Sequence, residues 1–158
     1  MGRKMDRVAG GGPARIVDVG TKDVTDREAT AEATITMSPQ ACARLLQGSR
    51  KGNPVEAARI AALQAVKRTP DLLPFCHPIA LTGAEVQVEP DPDAGRIRVV
   101  VTVRATDRTG VEMEALTGAA VGALCLYDTA KAEDRQAVIG DVRLIAKSGG
   151  RSGDYRRA

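Results

Sequence analysis

The stretch AEVQVEPDPDAGRIRVVVTVR, residues 84–104, decides the fold class. Apolar and polar residues alternate in its two runs, 84–89 and 96–104, and a period of two rich in β-branched residues is typical of half-buried strands. The linking PDPDAG is rich in turn-forming residues. The sequence therefore predicts an antiparallel hairpin in the middle of the chain.

Further elements are predicted on both sides of this hairpin. Residues 30–37 alternate in the same way and predict a strand, and VIGDVRLIAK at 138–147 predicts another. The predicted helices are a short one at 39–47 behind the N-cap Ser38, one at about 54–68 behind Asn53, and a long one at 111–134.

The resulting order is β-α-α-β-β-α-β, which becomes β-α-β-β-α-β when one helix is set aside. We expect an α+β, ferredoxin-like fold with an additional helix, in which helices cover an antiparallel sheet. The length of 158 residues fits one domain, at 15–158, that ends in the Gly-rich basic tail SGGRSGDYRRA. Residues 1–14 predict a flexible leader.

Composition disfavours several classes of protein. No apolar run is long enough to span a bilayer, so we expect a soluble protein without a membrane partner. With no Trp, two Tyr and one Phe, the chain lacks the stacking residues that bind nucleic acid. Three cysteines outside any paired motif disfavour disulfides and a zinc site and favour the cytoplasm. A core poor in aromatic residues favours a homo-oligomer.

The segment TPDLLPFCHP, residues 69–78, contains three prolines in ten residues and is predicted to be an ordered loop. It carries the only histidine of the chain, His77. A single histidine is commonly structural, whereas a rigid loop also suits a preorganised site. The residues alone leave both interpretations of His77 open.

Several basic residues lie beside turns or helix ends: Arg50, Lys51, Lys67, Arg68, Lys147 and Arg151. Solvated surface charge explains each of them taken singly. Together with Gly52 and Gly149–Gly150 they favour phosphate binding, because backbone amides and cations then meet the same anion. The spacing of a Walker loop is absent.

The long helix carries charged residues at both ends. Around its axis, Glu114 and Asp128 lie about 40° apart, and Asp128 and Lys131 about 60° apart. An ordinary ion pair explains Asp128 and Lys131 as well as a function does, and the helix dipole explains at least one of Glu112 and Glu114. Glu114 and Asp128 are roughly 21 Å apart along the axis, so a shared site requires a two-fold partner with an antiparallel helix.

Four motifs together resemble the cyclic pyranopterin monophosphate synthase family of molybdenum-cofactor biosynthesis. They are VDVGTKDVTDREA, ARIAALQAVKRTPDLLPFCHP, TGVEMEALTGAAVGALCLYDTAKA and VRLIAKSGGRSGD. The resemblance covers roughly residues 15–154. It implies a ferredoxin-like lyase that converts 3′,8-cyclo-7,8-dihydroguanosine 5′-triphosphate to cyclic pyranopterin monophosphate and diphosphate. It further implies no metal or organic cofactor, and a homohexamer built as a trimer of dimers with the active site at the dimer interface.

The resemblance also implies roles for individual residues. Asp128 matches the catalytic acid or base, and Lys131 and Lys51 match lysines needed for activity. The implied substrate-binding positions, with second-line candidates at the end, are Phe75, Cys76, His77, Met113, Glu114, Glu112, Lys67, Arg27 and Lys147. Fixed cations stabilise a departing diphosphate, and the hypothesised clamp consists of Lys51, Lys67, Lys147 and Arg151.

The chain departs from the family pattern at two of these motifs. Asn53 stands where the family usually has aspartate, which keeps a helix cap but removes a charge. Phe75 stands where the family usually has leucine, and it is larger in the pocket. Two alternatives to an enzyme remain on the sequence: a nucleotide-binding or regulatory domain on the same scaffold, and an accessory subunit of a partner enzyme.

Overall fold

The computed structural model describes residues 12–158. Its elements are β1 (Thr25–Thr36), α1 (Pro39–Leu46), α2 (Pro54–Lys67), α3 (Thr69–Leu72), β2 (Leu81–Asp91), β3 (Arg96–Asp107), α4 (Glu112–Ala130), β4 (Val138–Ser148) and β5 (Tyr155–Arg156). This order contains the predicted plan and adds the short α3 and β5. Residues 1–11 of the leader predicted at 1–14 lie outside the described residues.

The five strands form one antiparallel sheet in the order β2-β3-β1-β4-β5. β1 lies in the middle and pairs with β3 from Thr25↔Asp107 to Thr36↔Arg96, and with β4 on its other side. The β2–β3 hairpin turns at residues 92–95, as its sequence predicts. The ferredoxin-like fold class is thus confirmed.

Small residues set the distance between the sheet and its helices. Ala31 and Ala33 of β1 and Val101 of β3 are completely buried, and α4 packs on both of these strands. On α4, Gly118 and Gly122 face α2 and the sheet without a side chain between them. The two helices can therefore pack closely against each other and against the strands.

Replacing Gly118 with valine will destabilise the fold. A Cβ at this position would lie 2.7 Å from Cγ2 of Val66 and 3.3 Å from the carbonyl oxygen of Ala62. Overpacking of this kind costs about 1–3 kcal/mol, which we expect as a loss in the free energy of unfolding measured with urea. Gly83→Val is the matched control, because a Cβ added at Gly83 would have no other atom within 4 Å. Equal losses in both variants would contradict this packing account.

The prediction that residues 69–78 are entirely loop is wrong for the first four. They form α3, because Pro70 occupies the first helical turn, where its missing N–H has no partner to lose. The hydroxyl of Thr69, which is fully buried, donates a hydrogen bond of 3.0 Å to the carbonyl of Ala65 and so ties α3 to α2. The remaining residues of the segment form the predicted loop.

Other boundaries also differ from the prediction: β1 begins at Thr25 rather than at residue 30, and β2 and β3 extend beyond 84–89 and 96–104. α4 ends at Ala130 rather than at residue 134, because the Asp134 carboxylate accepts the backbone N–H groups of Ser38 and Gln136, both at 2.8 Å, and fixes a turn. The basic tail contains β5, a strand too short to show a sequence pattern. Within residues 12–158, the structure contains no helix with the length and apolar character needed to cross a membrane.

Candidate active site

The first turn of α4 forms one wall of a cavity of about 420 Å³, which we call the histidine cavity. It brings together six of the predicted substrate-binding residues: Phe75, Cys76, His77, Glu112, Met113 and Glu114. Phe75 and Met113 are 58% and 42% exposed, so two large apolar surfaces lie open beside polar groups. This combination suits a heterocycle with hydrogen-bonding edges.

Glu114 is the buried carboxyl group of the histidine cavity. Glu114 is only 3% exposed, and this burial raises the pKa of its carboxyl group to about 7. The nearby charge of Glu112 raises the pKa further, whereas a backbone hydrogen bond opposes the shift. Near neutral pH, Glu114 is therefore able to donate as well as to accept a hydrogen bond.

Replacing Glu114 with glutamine will make stability less dependent on pH. The pKa is raised in the folded state, so the folded chain retains a proton that the unfolded chain loses between about pH 4.5 and 7, and stability falls as pH rises through this window. The loss is of the order of 3 kcal/mol. At pH 8, Glu114→Gln should therefore unfold at a higher urea concentration than the wild type. At pH 5 the two proteins should unfold at similar urea concentrations.

The exposed Glu85→Gln serves as the control for this comparison. It should keep the pH dependence of the wild type. An unchanged pH dependence in Glu114→Gln would show that burial of this carboxyl group does not control the effect.

A second cavity, of about 440 Å³, adjoins the histidine cavity, and we call it the cationic cavity. Both are lined by Lys22, Thr109, Gly110 and Glu112. The cationic cavity is also lined by Asp23, Thr25, Arg27, Arg108, Gly150, Arg151 and Ser152. This excess of cations suits a phosphate chain.

Lys147 is tied to both the helix and the tail at this cavity. Its Nζ lies 3.0 Å from Oε1 of Glu112 and 2.8 Å from Oγ of Ser152. The Lys147–Glu112 pair is largely shielded from solvent, with side chains 21% and 28% exposed. It therefore links β4 to the start of α4, where the two cavities meet.

The glycine turn of the tail lies over Arg27. Gly149 and Gly150 have φ values of +89° and +81°, and a Cβ on Gly150 would overlap the Arg27 guanidinium. The N–H of Gly149 donates to the Asp154 carboxylate at 3.2 Å. Arg27 also donates to the carbonyl of Arg108 at 3.3 Å. The tail is therefore ordered against the rim of the cationic cavity.

The C-terminal end of α4 carries a separate charged cluster. Asp128 accepts hydrogen bonds from Nζ of Lys131, at 2.8 Å, and from Nζ of Lys51. Lys131 and then Lys51 hold the pKa of Asp128 at about 2, and Asp128 raises the pKa of Lys131. All three side chains are at least half exposed, and Lys51 and Asp128 line a cavity of about 380 Å³. The cluster is thus open to a ligand.

A tight turn before α2 presents Lys51. Ser49 and Gly52 exchange two backbone hydrogen bonds of 3.0 Å, and the Ser49 hydroxyl accepts the N–H of Lys51 at 3.0 Å. Gly52 has a φ of +100°, a conformation that favours glycine. Asn53 then accepts the N–H of Val55 at 3.0 Å, so the departure at this position preserves the helix cap.

Within one chain, the predicted site residues other than Lys67 fall into two separate groups. Glu114 lies at one end of α4 and Asp128 near the other, and Lys51 and Lys131 lie with Asp128. Lys67, the last residue of α2, is exposed and lines none of the three cavities. The cations of the hypothesised clamp therefore do not surround one cavity in a single chain.

Sequence reasoning missed Lys22, Thr25 and Arg108, which line the cationic cavity. Their signal was the polar segments at 21–25 and 106–110, each beside the end of a strand, where loops commonly carry ligand-binding groups. In the part of the chain that the structure describes, no group of three or more His, Cys, Asp or Glu side chains is arranged to hold a metal ion.

Comparisons with known proteins point to one family. The model of the MoaC family matches residues 16–150. A cyclic pyranopterin monophosphate synthase from Parvibaculum lavamentivorans is 49% identical over 98% of this chain and 97% of the relative. A protein of the same name from Pelotomaculum thermopropionicum is 50% identical over 92% of this chain and 86% of the relative. One from Brucella ovis is 48% identical over 98% of this chain and 94% of the relative.

Proposed function

The chain belongs to the MoaC family, and on that premise we propose that it is a cyclic pyranopterin monophosphate synthase. This lyase converts 3′,8-cyclo-7,8-dihydroguanosine 5′-triphosphate to cyclic pyranopterin monophosphate and diphosphate, as one catalytic domain over residues 15–158. The observation that carries the proposal is the junction of the histidine cavity and the cationic cavity at the start of α4.

The two cavities correspond to the two parts of such a substrate. The purine-derived rings lie in the histidine cavity, against Phe75 and Met113, with His77 and Glu114 at their polar edges. The triphosphate extends past Glu112 into the cationic cavity. The first turn of α4 lacks a side-chain cap, so its N-terminal dipole also favours an anion at this point.

Asp128 and its two lysines carry out the proton transfers of the rearrangement. In the free protein the low pKa of Asp128 makes it a weak base, because two ammonium groups stabilise its charge. A substrate that draws Lys51 or Lys131 towards its phosphates weakens this stabilisation and makes Asp128 a stronger base. Lys131 is the matching proton donor, because Asp128 raises its pKa and so keeps it protonated before the reaction begins.

Closing the cyclic phosphate requires a balanced exchange at phosphorus. A substrate hydroxyl oxygen forms the new bond to the α-phosphorus and gives up its proton to a base such as Asp128. The bond from the α-phosphorus to the bridging oxygen breaks, and diphosphate leaves with the electron pair. Cations around the cationic cavity stabilise the charge that develops on the departing oxygens.

The complete site is shared between two subunits of a homo-oligomer. Met113 and Leu124, 42% and 57% exposed, lie within about 20° of each other on α4, and Asp128 lies about 40° further round. Ile60 of α2 adds a third exposed apolar side chain, 57% exposed. Antiparallel contact along this stripe brings one subunit's histidine cavity to Asp128 of the partner subunit. A homohexamer of three such dimers, acting in the cytoplasm without a cofactor, completes the proposal.

Turnover by the purified chain tests the proposed function. The protein is incubated with the cyclised dihydroguanosine triphosphate, and diphosphate release and pterin formation are followed together. Equimolar formation of both products without a partner protein is the expected result. Binding of the nucleotide with no diphosphate release would contradict the proposal and support a nucleotide-binding module.

A further inference from the structure

The cationic cavity contains polar groups that the described chain leaves without partners. Arg27 Nε and Thr25 Oγ1 are both buried, and neither forms a hydrogen bond within residues 12–158. A buried donor without a partner destabilises the folded chain. An oxygen-rich ligand that reaches these atoms therefore gains hydrogen bonds that the folded chain does not make by itself.

Charge makes the preferred ligand a polyanion. Four cations line the cavity, Lys22, Arg27, Arg108 and Arg151, against the carboxylates Asp23 and Glu112. Glu112 is already neutralised by Lys147 at 3.0 Å. Arg27 lies near the start of β1, whereas Lys22, Arg108 and Arg151 lie on loops. Because the cations come from separate segments, they can contact more than one phosphate group at a time.

All of these groups belong to one chain and to one end of α4. Arg27 is fixed beneath the glycine turn, and Arg108 is fixed by its hydrogen bond of 3.1 Å to the carbonyl of Lys22. The Asp128 cluster lies at the other end of the helix. The cavity is therefore preorganised without any contribution from the rings of a nucleotide.

We propose that the cationic cavity binds inorganic diphosphate by itself and retains it as the last product to leave. This inference rests on the proposed function, since that reaction releases diphosphate next to the cavity. Free diphosphate then occupies the position of the β- and γ-phosphates. It therefore inhibits turnover competitively with the triphosphate substrate.

Calorimetric titration of the full chain with inorganic diphosphate, in the absence of nucleotide and divalent cations, tests the proposal. We expect one site per chain, and about tenfold weaker binding in each of Arg151→Ala and Arg108→Ala. Arg156→Ala is the matched control, because it is an exposed tail arginine that does not line this cavity. It should bind diphosphate as the wild type does.

Absence of binding, or equal binding by all four proteins, would overturn the proposal. A turnover assay on the same samples separates its failure from that of the proposed function. Turnover without diphosphate binding would overturn only the proposal that the cationic cavity retains diphosphate as the last product. Diphosphate binding without turnover would overturn the synthase and, with it, the retention of a product, while leaving a diphosphate site.

Discussion

Replacing Asp128 with asparagine will lower kcat for diphosphate release by about 10²- to 10⁴-fold in a protein that remains folded. Asparagine has the same shape but cannot accept the proton, and it removes the negative charge between Lys51 and Lys131. The side chain is half exposed, so the fold does not depend on it. Steady-state kinetics with a thermal-unfolding control measure the effect.

The control variant is Glu56→Gln, which breaks an exposed ion pair with Arg59 on α2. It should retain the kcat of the wild type. The pKa of Asp128 in the free protein is depressed to about 2, so this carboxylate stays ionised above about pH 4. Protonation of Asp128 should therefore not lower the wild-type rate above that pH. A wild-type kcat in Asp128→Asn would remove Asp128 from the chemistry.

Replacing Lys51 with alanine will lower kcat by about 10²- to 10³-fold, because it removes both a positive charge and a proton donor from the cluster. Lys51→Arg distinguishes the two roles, since arginine keeps the charge but does not exchange its proton near neutral pH. We expect Lys51→Arg to recover only a small part of the lost rate.

Arg135→Ala is the matched control for Lys51, because it removes an exposed cation just beyond α4. It should leave both kcat and KM unchanged. Full recovery of activity in Lys51→Arg would reduce the role of Lys51 to electrostatic stabilisation, and wild-type activity in Lys51→Ala would exclude it from the site.

The fold was largely predictable because its strands carry strong local patterns. The 84–104 hairpin alternates along both strands, and the caps Ser38 and Asn53 mark their helices in sequence and in the structure. α3 was not predicted because the three prolines at 69–78 indicate a break in regular structure, although Pro70 is compatible with a first helical turn. β5 depends on pairing with β4, which no local pattern of two residues reveals.

The candidate site was predictable only in part. The motifs around His77, Glu114 and Asp128 identify residues, but the pKa of Glu114 depends on burial that arises only in the fold. The cationic cavity brings Lys22 and Arg108 together from loops 86 positions apart, joined by a hydrogen bond of 3.1 Å. Such a contact requires the pairing of β1 with β3, so the sequence pattern alone does not contain it.

The division of the site between two subunits is tested most directly by mixing two inactive proteins. Lys51→Ala damages only the Asp128 cluster, and His77→Ala damages only the histidine cavity. Random exchange of subunits between them gives about one quarter of the sites two intact halves, so the mixture should recover about a quarter of the wild-type rate. A mixture that stays as inactive as its parents, although mixed oligomers are detected, would contradict the shared site.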